Sequence, residues 1–338
     1  MTVTAVGGGV PPGHHAFRPS VGEPIRWPAA FGTRFTIFVD VEEEFDWRAP
    51  LDAAHRSTTA MAAFPAAHRR FAEAGVGLTC MVDYPIATDA RSVEILRSVV
   101  ADGRSAIGTQ LHPWVNPPFD APVSRFTSYA GNLPLAIEQA KIAQLTDAIA
   151  AAFGTRPLAF RAGRYGLGPA TLSLLAQAGY RLDSSVRAGY DYSADGGPDY
   201  SRIGNAAWRA GSVVELPLTS VFTGRARVAG AGLYRALGKM PGGRGLAART
   251  GTLARVALTP EDMPLPAAIE AVRVAAGQGD RLLVFSFHSP SLAPGHTPYV
   301  RDAADLSTFH RWWAKMLAEL DSLGVRYASL AQILTAAG

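Results

Sequence analysis

The feature that most constrains this chain is a recurrence. Short apolar runs, each closing on a charged or polar side chain, alternate with stretches of helical spacing. Residues 35–39 (Phe-Thr-Ile-Phe-Val) are β-branched and aromatic, and the chemistry then changes at once to Asp40, Glu42, Glu43, Glu44 and Asp46. The run 76–82 ends at Asp83, 105–111 at His112, 157–160 at Arg161, 180–182 at Asp183 and 281–287 at His288. Helical spacing occupies 58–74, 90–101, 133–153, 169–178 and 265–276 between them. Strands that alternate with helices pair in parallel, because a parallel connection needs a crossover of about a dozen residues. Seven or so such units with no second core predict a single α/β domain of barrel type. In such folds ligands sit at the carboxyl ends of the strands, where these polar groups fall.

Composition sets the frame around that core. With 338 residues and 48% hydrophobic content the chain can bury a full core. Its net charge of +4 comes from arginine, since Lys141, Lys239 and Lys315 are the only lysines, and the cations are scattered rather than blocked. This argues for solubility and against nucleic acid as a partner. A lone Cys80 in an apolar run excludes a disulfide framework. No apolar segment approaches membrane-spanning length, and the N-terminus lacks the basic-then-apolar pattern of a secretion signal, so the expected location is cytoplasmic. Residues 1–30, punctuated by Gly and Pro, read as an arm, and 31–338 as the domain. The Gly- and Arg-rich segment 224–257 breaks the rhythm and reads as an insertion, either a cover for the barrel mouth or a mobile loop. A helix at 306–323, a strand at 325–328 and a helix at 330–336 end the chain.

Asp40 and Glu42 are two apart, so they face the same way if the strand continues, and two converging carboxylates suit metal binding or acid–base work. An acidic run after a strand is also what a solvated turn looks like. Trp47, Trp114, Phe119 and Tyr165 lie just past strand ends, where aromatic faces can stack on a ligand or pack beneath loops.

In order, FVDVEEEFDW, AIGTQLHPW, FRAGRYG, LDSS and FSFHS resemble the five motifs of the polysaccharide deacetylase (NodB-homology, carbohydrate esterase family 4) superfamily, with the look of its cytoplasm-compatible branch. The resemblance runs over 35–334. It implies a distorted (β/α)7 barrel and metal-dependent hydrolysis of an N-acetyl group on a sugar. A divalent metal, zinc or similar, polarises the carbonyl and a water, an aspartate takes the water's proton, and a histidine protonates the leaving amine. Position by position, Asp40 matches the base and Arg161 the arginine that holds it. His288 matches the acid, with Asp183 as the group that orients it. Val41 stands where the commoner motif has a metal-binding Asp, which makes Glu42 the candidate ligand. Of the second motif's two histidines only His112 remains, because the first falls on Gln110, a neutral and weaker ligand. The implied metal set is Glu42, His112 and Gln110, and Trp114, Tyr165 and Trp47 are the implied sugar-binding aromatics.

Three readings stay open on the sequence. The first is an N-deacetylase acting on an amino sugar, with carbohydrate as its partner. The second, raised by Gln110, is a metal-free hydrolase of a small cyclic or ureido amide. The third is a catalytically inactive relative that binds carbohydrate. No oligomeric state is implied.

Overall fold

The computed structural model describes residues 10, 11 and 13–338; the first nine residues and Pro12, part of the arm read at 1–30, lie outside the described residues. Seven parallel strands carry the fold: β1 (Arg34–Val41), β2 (Thr79–Val82), β3 (Ala106–Leu111), β4 (Ala159–Ala162), β5 (Leu182–Asp183), β6 (Val213–Glu215) and β7 (Leu282–His288). They lie side by side in the order β7-β1-β2-β3-β4-β5-β6. Helices α1 (Phe64–Glu73), α2 (Ala90–Val100), α3 (Leu135–Phe153), α4 (Thr171–Gln177) and α5 (Leu265–Gln278) make the crossovers, and α6 (Ala303–Ser322) follows β7.

The pleat sorts the side chains. Along β1, Phe35, Ile37, Val39 and Val41 face the helices in one buried cluster. Phe38 faces the barrel interior with Met81, Ala159, Leu182, Val214 and Val284. The period of two therefore sends Asp40 inward at the strand's C-terminal end. The same rule sends Gln110, Arg161 and His288 inward, since Leu111, Phe160 and Phe287 belong to the outer cluster. Leu330, Ile333 and Leu334 of α7 (Leu330–Ala337) join the inner cluster with Phe31, so apolar side chains plug the barrel end opposite the acids.

The barrel is distorted at one seam. No strand ladder joins β6 to β7; instead the Thr219 N–H donates to Val284 O at 3.3 Å and the Val284 N–H to Thr219 Oγ1 at 2.9 Å. Nearby, the Ser286 N–H donates to Leu258 O at 3.1 Å. Residues 219 and 258 flank a hairpin, β8 (Ser220–Thr223) against β9 (Ala254–Ala257), and the segment read as an insertion is the excursion between these two strands. Two elements depart from the sequence reading. The strand expected at 325–328 is only Arg326–Tyr327, paired with the start of β1 rather than serving as a stave. Within the arm, Glu23–Pro24 pairs antiparallel with Trp208–Ala210, and Arg18 binds Asp199 at 2.7 Å, so the segment is fastened to the barrel wall.

Candidate active site

Asp40 and His288 are register partners at the ends of β1 and β7. Arg161 donates from Nη1 to Asp40 Oδ1, while its Nε donates to Ser184 O at 3.0 Å and its guanidinium lies over Phe38. Both members of this ion pair are almost fully buried, so the arginine fixes the carboxylate in one orientation. Oδ2 of Asp40 stays on the open side, 3.8 Å from His288 Nε2.

His288 is held from behind by Glu261. Its Nδ1–H donates to Glu261 Oε2 at 2.7 Å, its backbone N–H donates to Oε1 at 3.1 Å, and Ser291 Oγ donates to the same Oε1. This fixes the tautomer with Nε2 toward Asp40. Burial acts to deprotonate the ring, but the Glu261, Glu42 and Asp40 carboxylates outweigh it and push the pKa up to about 10. His288 is therefore an imidazolium at neutral pH.

The expected role of Asp183 is corrected here. It receives the Ser185 hydroxyl at 2.6 Å and lies at the register position next to Glu215, deep in the wall. Burial raises both of these carboxyls, and they sit side by side behind the site instead of orienting His288. The orienting carboxylate is Glu261, which the strand-end rule could have found: it follows the apolar run 256–258, just past the segment set aside as an insertion.

On the other side of Asp40, Glu42, Gln110 and His112 converge. Gln110 Nε2 donates to Glu42 Oε2 at 3.0 Å and to His112 Nε2 at 2.9 Å, and those two acceptors are 3.5 Å apart. Behind them, His112 Nδ1 and Trp114 Nε1 donate to the two oxygens of Glu43 at 2.8 and 2.7 Å. The Glu43 N–H in turn donates to Asp83 at 2.7 Å. Burial pulls the His112 pKa down to about 4, leaving a neutral imidazole suited to ligation. Trp114 is likewise corrected: it is 2% exposed and stacks on His112 at 4.2 Å, so it supports that ring and offers no face to a sugar.

Two carboxylate–histidine groups have a cation-like spacing, Asp40 with Glu42 and His288, and Glu43 with Asp83 and His112. In the second, both oxygens of each carboxylate already accept hydrogen bonds, and Nδ1 of the ring spends its proton on Glu43. In the first, the protonated His288 has no lone pair to offer, and Glu42 with its neighbours Gln110 and His112 fits an ion better. Glu42 Oε1 and Gln110 Oε1 are buried without a partner. Half a turn of the Gln110 amide would replace its N–H donors with that oxygen. Three acceptors spaced as these atoms are suit a cation at about 2.0–2.2 Å. Burial raises the Glu42 carboxyl well above its ordinary range, opposed by His288, so a cation here would also remove the cost of ionising it.

Trp47 and Tyr165 remain half-exposed beside these groups. Trp47 meets His288 edge-on at 5.0 Å, and Tyr165 stacks with Tyr192. Arg164, Tyr165 and Asp262 have φ of 54, 60 and 62°, the left-handed region that side chains avoid, and all three adjoin the site.

No family model matches the sequence, and no curated protein does. Solved structures do. The chain is similar to a candidate polysaccharide deacetylase from Mycobacterium smegmatis, with a TM-score of 0.51 and 16% identity over 94% of this chain and 93% of that one. The fold is that of the polysaccharide deacetylases. PuuE allantoinase is also similar, at a TM-score of 0.48 and 13% identity over 92% of this chain and 91% of that one. The deacetylase-type barrel thus positions the five motif segments around one mouth, and among the described residues no helix is long and apolar enough to cross a membrane.

Proposed function

We propose that the chain hydrolyses the amide of an N-acylated amino sugar, with Asp40 as general base and His288 as general acid. The observation that carries this reading is the pair itself. A carboxylate with one oxygen clamped by Arg161 faces, at 3.8 Å, an imidazolium whose far nitrogen is held by Glu261. Asp40 Oδ2 is free to take a proton from water, and His288 Nε2 carries a proton to give to the departing amine. Glu261 holds the ring's other proton on Nδ1, so that the one released is the proton on Nε2. Glu42, His112 and Gln110 would hold a divalent cation, which when bound supplies Lewis-acid polarisation of the acyl carbonyl and of the attacking water. Trp47 and Tyr165 supply aromatic faces for the sugar ring.

The test is acetate release from N-acetylated amino sugars, before and after exhaustive chelation, paired with calorimetric titration of zinc and cobalt into wild type and His112→Ala. Chelation should abolish turnover, re-addition of one divalent ion should restore it, and the alanine variant should lose the binding isotherm. One geometric observation favours a second reading. The Gln110 N–H groups already bridge Glu42 and His112, as a cation would. Full turnover by the chelated protein would support this metal-free amidohydrolase and discard the first mechanism.

A further inference from the structure

Beside the proposed active site lie two arginines that the acid–base pair does not use. Arg187 follows β5 and bridges Leu218 in parallel, which extends the barrel wall at its C-terminal mouth. Its guanidinium lies 5.4 Å from the ring centre of Tyr165 and 4.0 Å from that of Tyr190. Arg255, delivered by β9, lies 3.4 Å from the same Tyr190 centre and donates from Nη1 to Gly189 O. The Arg255 Nε is buried without a partner. Among the described residues neither Arg187 nor Arg255 enters an ion pair, and the Arg187 guanidinium lies beside the Tyr192 hydroxyl. The nearby acids, Glu261 and Asp262, do not close on either: Glu261 is committed to His288 and Ser291, and Asp262 is exposed.

Two half-buried cations against one aromatic ring, with no carboxylate between them, repel each other and keep open donors. Hydrophobic or hydrogen-bonded side chains would have filled the position at less cost had it been structural only. We infer that Arg187 and Arg255 form an oxyanion subsite, so that the substrate is an amino sugar carrying a phosphate or carboxylate in addition to its acyl amide. The planar fork of each guanidinium matches such a group, and Tyr165 links the subsite to the sugar position beside Asp40. This rests on the proposed function for the sugar, and not for the anion.

The experiment uses the full chain carrying Asp40→Asn, which blocks turnover. Calorimetry compares a neutral N-acetyl amino sugar, its phosphate monoester, the corresponding uronate and inorganic phosphate. The anionic sugar should bind roughly tenfold to a hundredfold tighter than the neutral one, the range of a charged hydrogen bond. The gap should shrink with salt and disappear in Arg187→Gln and Arg255→Gln, with neutral-sugar affinity unchanged. Which anionic sugar leads identifies the group. Arg187→Lys, which keeps the charge, should retain part of the gap and guards against a folding artefact. Equal affinity for neutral and anionic sugars in the Asp40→Asn protein, or a gap that survives both glutamine variants, overturns the inference. If inorganic phosphate binds through these arginines and no sugar is hydrolysed by the wild type, the subsite stands and the deacetylase reading falls.

Discussion

At the scale of single residues, the site works by assigning unlike protonation states to neighbouring groups. His288 is charged because carboxylates surround it, and His112 is neutral because burial dominates it. If His288 is the acid we propose, the rate should hold to high pH and fall as pH rises through about 10, where the ring loses its proton; a pH–rate profile reads this directly. Glu261→Gln removes the carboxylate with the strongest hold on that proton. The alkaline limb should move to lower pH and kcat should drop, whereas a merely structural role would leave the limb in place. The same group links pH to stability. A pKa raised in the folded state stabilises fully below the ordinary histidine value near 6.5, and that contribution fades as pH rises toward 10. Gly163 is a third critical position. A Cβ there would stand 2.4 Å from His112 Cδ2 and 2.7 Å from Leu111 O, backbone that has no room to yield. Gly163→Ala should cost about 1–3 kcal/mol in denaturant unfolding and displace the His112 ring.

At the scale of elements, a strand delivers a side chain and a loop must hold its partner. Asp40, Arg161 and His288 were legible in sequence because each sits on the inward parity of a strand with an unmistakable apolar run. Glu261 also follows an apolar run, but its place beside His288 depends on the chain returning after the long excursion between β8 and β9, which hid that signal. Trp114 misled for a related reason. Loops past strand ends are exposed by default, but this one turns inward, where the indole N–H meets Glu43. Lys141 of α3 explains how: buried, it donates to Pro113 O at 2.9 Å, to Asn116 O and to Pro118 O at 2.7 Å, gathering the loop beneath His112. Lys141→Met would leave these carbonyls without their donor, and should lower unfolding stability by roughly 3 kcal/mol or more.

At the scale of the molecule, the apolar groups form an inner plug and an outer shell, and the polar site occupies the one barrel end that the plug leaves free. Phe285 of β7 packs against Phe35, Trp312 and Trp313, joining barrel to α6. Phe285→Ala should cost about 3–5 kcal/mol in chemical denaturation, comparable to much of a domain's net stability. The alternation of strand and helix made this architecture readable, while the open seam at β6 and β7 and the fastened N-terminal segment depend on pairings between residues far apart in sequence. The claim on which everything else depends is that Asp40 and His288 move the protons of amide hydrolysis. The most direct measurement is acetate release from an N-acetylated amino sugar by wild type, Asp40→Asn and His288→Ala under identical conditions. The account predicts turnover by the wild type and a loss of roughly 10²- to 10⁴-fold in each variant, with both still folded. Unchanged rates in the two variants would contradict it.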